Sequence, residues 1–169
     1  MKFLRKLYII YVRSILDFAS PVFNGLTKSD HSLIEKVQKR ATYLIFKRYF
    51  YATRCKDSVP DYVQRLRTLK LDTLSQHRLK SDLLLYHNIL NGKINVESNA
   101  PHLGNPFSIT RTNKLGIYPP PSRTLLRKRG FFVRLPLLFI KLPTQVQEVK
   151  DSNVFARLLN DIDLNTLSG

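Results

Sequence analysis

The chain has 169 residues, long enough to bury one real core and too short for a multidomain machine. Its 28 Lys and Arg oppose only 12 Asp and Glu, a formal charge of +16, yet 43% of residues are apolar and 11% aromatic, which excludes a disordered basic tail. A foldable chain with that excess favours a polyanionic partner, because each phosphate it neutralises releases condensed counterions; nucleic acid comes first and an anionic membrane surface second.

Leu4, Leu7, Tyr8, Tyr11, Ile15 and Phe18 recur at spacings of three and four, so residues 3–19 are expected to form an amphipathic helix that Pro21 and Asn24-Gly25 end. Arg13 and Asp17 interrupt the stretch and no small-residue cleavage site closes it, which argues against a signal peptide. A second helix is expected from Ser29 or Ser32, the latter in capping-box spacing with Glu35, with Leu33, Ile34, Val37, Ala41, Leu44 and Ile45 as its inner stripe. Residues 49–57 then read as a connection holding Cys55. A lone cysteine allows no internal disulfide and no multi-cysteine zinc cage, and fits a reducing compartment.

Pro60 suits a first helical position and opens a short helix through Tyr62, Val63, Leu66 and Leu69. Thr73 and Gln76 make a capping box for a long helix with Leu79, Leu83, Tyr86 and Leu90 inside, and Asn91-Gly92 terminates it. Tyr8, Tyr11, Tyr43 and Tyr86 fall on or beside these stripes and are assigned to packing. From 93 to 122, prolines and glycines deny a long helix and suggest an extended arm with room for a hairpin around Phe107 to Tyr118. Arg123 to Lys141 is basic and apolar around Pro136, and Ser152 is placed to cap a last helix carrying Val154, Phe155, Leu158 and Leu159. The expected architecture is mainly α: a small helical bundle over 1–92, the proline-rich arm over 93–122, and a basic segment with a C-terminal helix over 123–169. Its longest apolar run past the first helix, Leu135 to Ile140, falls far short of the roughly 20 residues a membrane span needs.

Two stretches contain no acidic residue. Between Glu35 and Asp57 lie Lys36, Lys39, Arg40, Lys47, Arg48, Arg54 and Lys56, and between Glu97 and Glu148 lie Arg111, Lys114, Arg123, Arg127, Lys128, Arg129, Arg134 and Lys141. Unopposed charge repels itself, so a phosphate backbone is the expected counterpart, the bland alternative being a solvated helix face. Phe131 and Phe132 adjoin the second stretch and are placed to pack or stack beside bases. Arg13 joins these candidates, with pairing to Asp17 one turn on as its structural alternative. His31, His77, His87 and His102 are too scattered for a metal site, and no motif supports Cys55 as a nucleophile.

The residue order adds a resemblance. Leu7-Tyr8 through Tyr11-Val12-Arg13 to Ala19-Ser20-Pro21-Val22-Phe23 resembles the helix that follows the palm in reverse transcriptases of non-LTR, LINE-type retrotransposons. Ile34-Glu35-Lys36-Val37-Gln38-Lys39-Arg40-Ala41-Thr42 is similar to that family's next element. Leu69 to Gly92, with Arg78, Leu79, Asp82, Leu83 and Tyr86, is similar to a third, and Phe131-Phe132, Arg134, Leu142-Pro143 and Phe155 to a fourth. Phe23 and Phe139 stand where the family has tryptophan, Ser14 where it has proline, and His77 where it has arginine.

The resemblance implies a thumb-like bundle that grips RNA, DNA or an RNA/DNA hybrid through backbone contacts, reading duplex shape in place of sequence. Family polymerases bind two divalent ions with palm aspartates that include an adjacent pair, and this sequence has no Asp-Asp pair. The chain is therefore expected to be noncatalytic by itself and to need no cofactor, with an intracellular ribonucleoprotein, nuclear or cytoplasmic, as its setting. Two alternatives stand beside this: part of an active RNA-directed DNA polymerase whose palm and fingers lie outside the chain, and a basic helical module for a membrane surface or a protein.

Overall fold

Local capping and one change of helical pitch decide how this chain packs. The computed structural model describes residues 1–18, 20–23, 27–54, 58–96, 117 and 120–162, and among these the chain is mainly helical with no strand. It divides into two compact units, Met1–Ser20 with Leu26–Arg78, and Pro21–Gly25 with Leu79–Gly169. By packing, the division falls within one long helix, whereas the sequence pattern put boundaries at residues 92 and 122. The expected hairpin, and most of the proline-rich arm, lie outside the described residues.

In the first unit, α1 (Lys2–Leu7) passes into a π-helical stretch (Tyr8–Arg13) and then α2 (Ser14–Asp17). A π turn takes up an extra residue, and each residue turns a helix by about 100°, so the inward face is re-phased beyond it. Leu4 and Tyr8 face the core as the sequence pattern predicts; within the π stretch Val12 takes the inward line and Tyr11 is exposed, and beyond it Ile15 and Phe18 are exposed too. Arg13 is carried inside.

A short α3 (Ser20–Phe23) precedes α4 (Lys28–Thr53). Thr27, not either serine, caps α4 in a reciprocal box: the Asp30 N–H donates to the Thr27 hydroxyl at 3.3 Å and the Thr27 N–H to the Asp30 carboxylate at 3.1 Å. The helix runs into the expected connection as far as Thr53 and ends where Arg54 turns left-handed at φ 52°; the rest of that connection, expected over 55–57 with Cys55, lies outside the described residues. Its inner face also differs from the expected stripe. Gln38, Thr42, Ile45 and Phe46 are buried, and Leu33, Val37 and Leu44 are exposed.

The displacement has a cause. Gln38 is fully enclosed, accepting from the Tyr8 hydroxyl at 2.8 Å and donating to the Tyr62 hydroxyl and the Asp72 carbonyl, each at 3.0 Å. Tyr62 passes its own hydrogen to Glu35, whose other oxygen accepts the Leu74 N–H at 3.1 Å. A glutamine so satisfied takes an inner position that an apolar rule would deny it. Helix α5 (Tyr62–Leu69) is capped by Asp61, which accepts the Val63 N–H at 3.2 Å, so Pro60 precedes the helix and does not open it. The Arg5 guanidinium closes the far end of α5 by donating to the carbonyls of Leu69 and Lys70. Tyr8, Ile45, Phe46, Leu66, Leu69 and Leu71 form the core of this unit.

Helix α6 (Leu74–Leu90) starts as expected, the Gln76 N–H reaching the Thr73 hydroxyl at 3.3 Å, and stops at Gly92 with φ +67°. After it come α7 (Leu125–Arg129), α8 (Phe131–Ile140), α9 (Thr144–Gln147) and α10 (Ser152–Asp161). Asp151, one residue before the serine expected to do so, caps α10 by accepting the Asn153 N–H at 2.7 Å. The second core gathers Leu83, Tyr86, Ile117, Leu135, Phe139, Leu142, Val146, Phe155 and Leu159. His87 stacks on Phe155 at 4.1 Å with its Nε2 2.6 Å from the Val149 carbonyl. Among the described residues no helix is long and apolar enough to cross a membrane.

Two stability outcomes follow. Gln38→Leu strips the Tyr8 hydroxyl of its acceptor and is expected to lower unfolding free energy by about 2 kcal/mol in urea titrations; an unchanged midpoint refutes the role given to this side chain. Burial pushes the Tyr8 hydroxyl up to about 12, with Asp17 and Glu35 adding to the rise and Arg13 opposing it. The fold favours the neutral phenol, so its stabilisation is intact below the ordinary value of 10.0 and drains as pH climbs through about 12. Thermal melts over that alkaline window should fall steeply for the parent chain and less steeply for Tyr8→Phe.

Candidate nucleic-acid interface

In the first unit, α4 presents its cations on one side. With about 100° per residue, Lys36, Lys39, Arg40, Tyr43 and Lys47 fall within a band about 100° wide, and Lys36 to Lys47 spans about 16 Å of axis. All four cations are exposed and none has an ion-pair partner among the described residues. Arg48, also exposed, lies to the side of this band.

Aromatic rings organise the strip. The Lys39 ammonium sits 5.3 Å from the Tyr62 ring, and the Arg40 guanidinium 5.8 Å from the Tyr43 ring. Buried Arg65 lies between both rings, 5.9 Å from Tyr43 and 5.6 Å from Tyr62, while donating to the Thr42 hydroxyl and the Pro60 carbonyl. Such contacts restrict long side chains before any ligand arrives, reducing the entropy lost on binding. At the N-terminal end of the strip a cleft of about 380 Å³ has Lys36 and Lys39 on its lining. Glu35 lines it too, which offsets their attraction for a phosphate.

Arg13 has no place in this strip. Its side chain is buried, with Nε 3.4 Å from the Asp17 carboxylate, which also faces His77 Nε2 at 3.2 Å. The structural alternative for Arg13 is the one observed, and the extra residue in the π stretch explains why it points inward.

In the second unit, Arg123, Arg127, Lys128 and Arg129 are exposed and lack ion-pair partners among the described residues. The Thr124 hydroxyl accepts the Arg127 N–H at 3.3 Å, fixing the short helix that carries three of them. Arg134 belongs elsewhere: its Nη2 is 2.7 Å from the fully buried Asp82 carboxylate. Burial draws its guanidinium below the ordinary value and Asp82 opposes that pull, so the charge is spent inside the fold. Arg111 lies outside the described residues.

The phenylalanines beside this cluster are both half-buried. Phe131 meets the Tyr86 ring edge-on at 6.3 Å, and half-buried Phe132 meets Phe131 at 5.1 Å. Phe131 packs against the second core, and Phe132 meets Phe131. Among the tyrosines, Tyr8 and Tyr86 are buried as assigned, Tyr11 is exposed, and Tyr43 is half-buried in the cationic strip. The sequence signal for Tyr43 is its angular alignment with Lys36, Arg40 and Lys47, a polar face that apolar periodicity does not mark.

Among the described residues no three His, Cys, Asp or Glu side chains gather to hold a metal ion. Compared with protein-family models, with curated proteins and with solved structures, the chain matches none.

The separation of structural from exposed arginines can be measured. Arg134→Met leaves a buried carboxylate without this partner and is expected to cost about 3 kcal/mol, whereas Arg127→Ala stays within about 0.5 kcal/mol of the parent. Equal effects of both in chemical denaturation refute the distinction.

Proposed function

We propose that this chain is a noncatalytic nucleic-acid-binding fragment related to the thumb region of LINE-type reverse transcriptases, holding a duplex or hybrid by its phosphate backbone. The observation that carries the reading is the row of exposed, ion-pair-free cations on α4, braced by Tyr43 and Tyr62. The four ordered sequence blocks supply the family, and the surplus of 28 basic over 12 acidic residues supplies the long-range attraction. About five phosphates of one strand pass along a strip of this length, since a strand carries one per 3.4 Å of axis. Phosphate contacts of this kind fix position and carry no base sequence, so binding should follow backbone shape.

A salt series with a fluorescent RNA/DNA hybrid, duplex DNA and single-stranded RNA tests the reading. Log affinity should fall linearly with log salt, and the Lys36→Gln/Lys39→Gln/Arg40→Gln variant should lose about 0.9 of slope per duplex contact removed. A folded variant with parent affinity and slope rules out the strip as the interface; a folded parent that binds none of the three at low salt rules out the function.

One observation favours a second reading, in which the chain is part of an active polymerase completed by palm and fingers encoded elsewhere. Phe3, Ile10, Tyr11, Ile15 and Phe18 stand exposed along the first helix, more apolar surface than an isolated helix needs to show. Sequencing the coding region upstream decides it: an in-frame Asp-Asp turn supports the reading and a stop-ridden region removes it.

A further inference from the structure

We infer that Leu125 and Leu126 form an apolar wedge that parts a base step of duplex nucleic acid while the surrounding cations hold its phosphates. The inference rests on the nucleic-acid reading and adds to it what the second unit does once bound. Leu125 is 72% and Leu126 81% exposed, the two most exposed leucines among the described residues and an unfavourable position for adjacent apolar side chains. They open α7, and Arg127, Lys128 and Arg129 complete it, with Arg123 just before. None of these cations has an ion-pair partner among the described residues, and no carboxylate occurs in the sequence from Pro101 to Gln147.

The tip is presented on a firm base. The Lys128 N–H donates to the Thr124 carbonyl at 3.0 Å, the Gly130 N–H to the Arg127 carbonyl at 3.0 Å, and the Arg134 N–H to the Gly130 carbonyl at 3.0 Å. A Cβ on Gly130 would stand 3.0 Å from the Arg127 carbonyl oxygen, so the junction with α8 is tight. Beyond it Leu135 and Phe139 are anchored in the second core, and Val133 is buried. Short apolar side chains held rigidly among cations are the means by which minor-groove proteins unstack a step, and burying two leucines is of the same order as the unstacking it offsets.

The same residues suit a membrane less well. At about 100° per residue the two leucines occupy adjacent sides of α7 and the three cations take the remainder, with Arg129 returning between the leucines, so no broad apolar face forms. Charge complementarity with a phosphate backbone, on both flanks of a wedge the width of one step, favours the duplex.

The full-length chain is titrated into a DNA duplex carrying a fluorescent adenine analogue, quenched by stacking, at a central thymine–adenine step. Saturating parent protein should raise its emission about threefold as the step opens. Leu125→Ser/Leu126→Ser, shown folded by circular dichroism, should leave emission flat and weaken binding about tenfold with the parent's salt slope. Leu125→Met/Leu126→Met should keep the rise. Salt-sensitive binding with flat parent emission, or equal emission from parent and serine variant, overturns the wedge and leaves the binding function standing. A folded parent with no salt-sensitive binding at all overturns both. Flotation with phosphatidylserine vesicles that outcompetes the duplex at equal salt, and is lost in the serine variant, overturns the wedge in favour of a membrane contact.

Discussion

The packing of the first unit turns on Gln38. Its amide has no water to fall back on, so the oxygen must find the Tyr8 hydroxyl and the nitrogen must find Tyr62 and the Asp72 carbonyl. Those demands fix the π-helical stretch, α5 and the residues entering α6 in register with α4, because each supplies one partner to its Gln38. An apolar residue at this position would tolerate sliding; a donor and acceptor with set directions does not. Glu35 extends the same logic outward by joining the Tyr62 hydroxyl to the first N–H of α6.

This register also sorts the cations. Arg5, Arg13, Arg65 and Arg78 are drawn into carbonyls, a carboxylate and rings of the first unit, where their donors are used within the fold. Lys36, Lys39, Arg40 and Lys47 remain outside in a band turned away from Gln38, with exposed Arg48 to its side. A similar sorting divides Arg134 from Arg127, Lys128 and Arg129 in the second unit. Net charge alone therefore overstates the charge left free at the surface, which is the exposed subset.

Helix class and the main breaks were legible in the sequence because they depend on local chemistry: apolar spacing, the Thr73 cap, and Gly92 with its positive φ. The inner face of α4 was not, since Gln38 and Thr42 read as polar until their partners at residues 8, 62, 65 and 72 are known. Caps were misplaced by small steps where two capping residues stand close together, Thr27 before Ser29 and Asp151 before Ser152. The α4 cations were found by the lack of acids around them, a one-dimensional signal. Arg13 and Arg134 escaped that test because their carboxylates, Asp17 and Asp82, enter through the fold.

The π-helical stretch from Tyr8 to Arg13 gives the first helix two apolar faces with separate fates. Leu4, Tyr8 and Val12 answer to the core, whereas Tyr11, Ile15 and Phe18 answer to the solvent. Colloidal behaviour and folding stability are thereby uncoupled along one helix. Polar residues in the outward set would change how molecules of this chain attract one another in concentrated solution, as light scattering would register, and would leave the unfolding equilibrium nearly where it was.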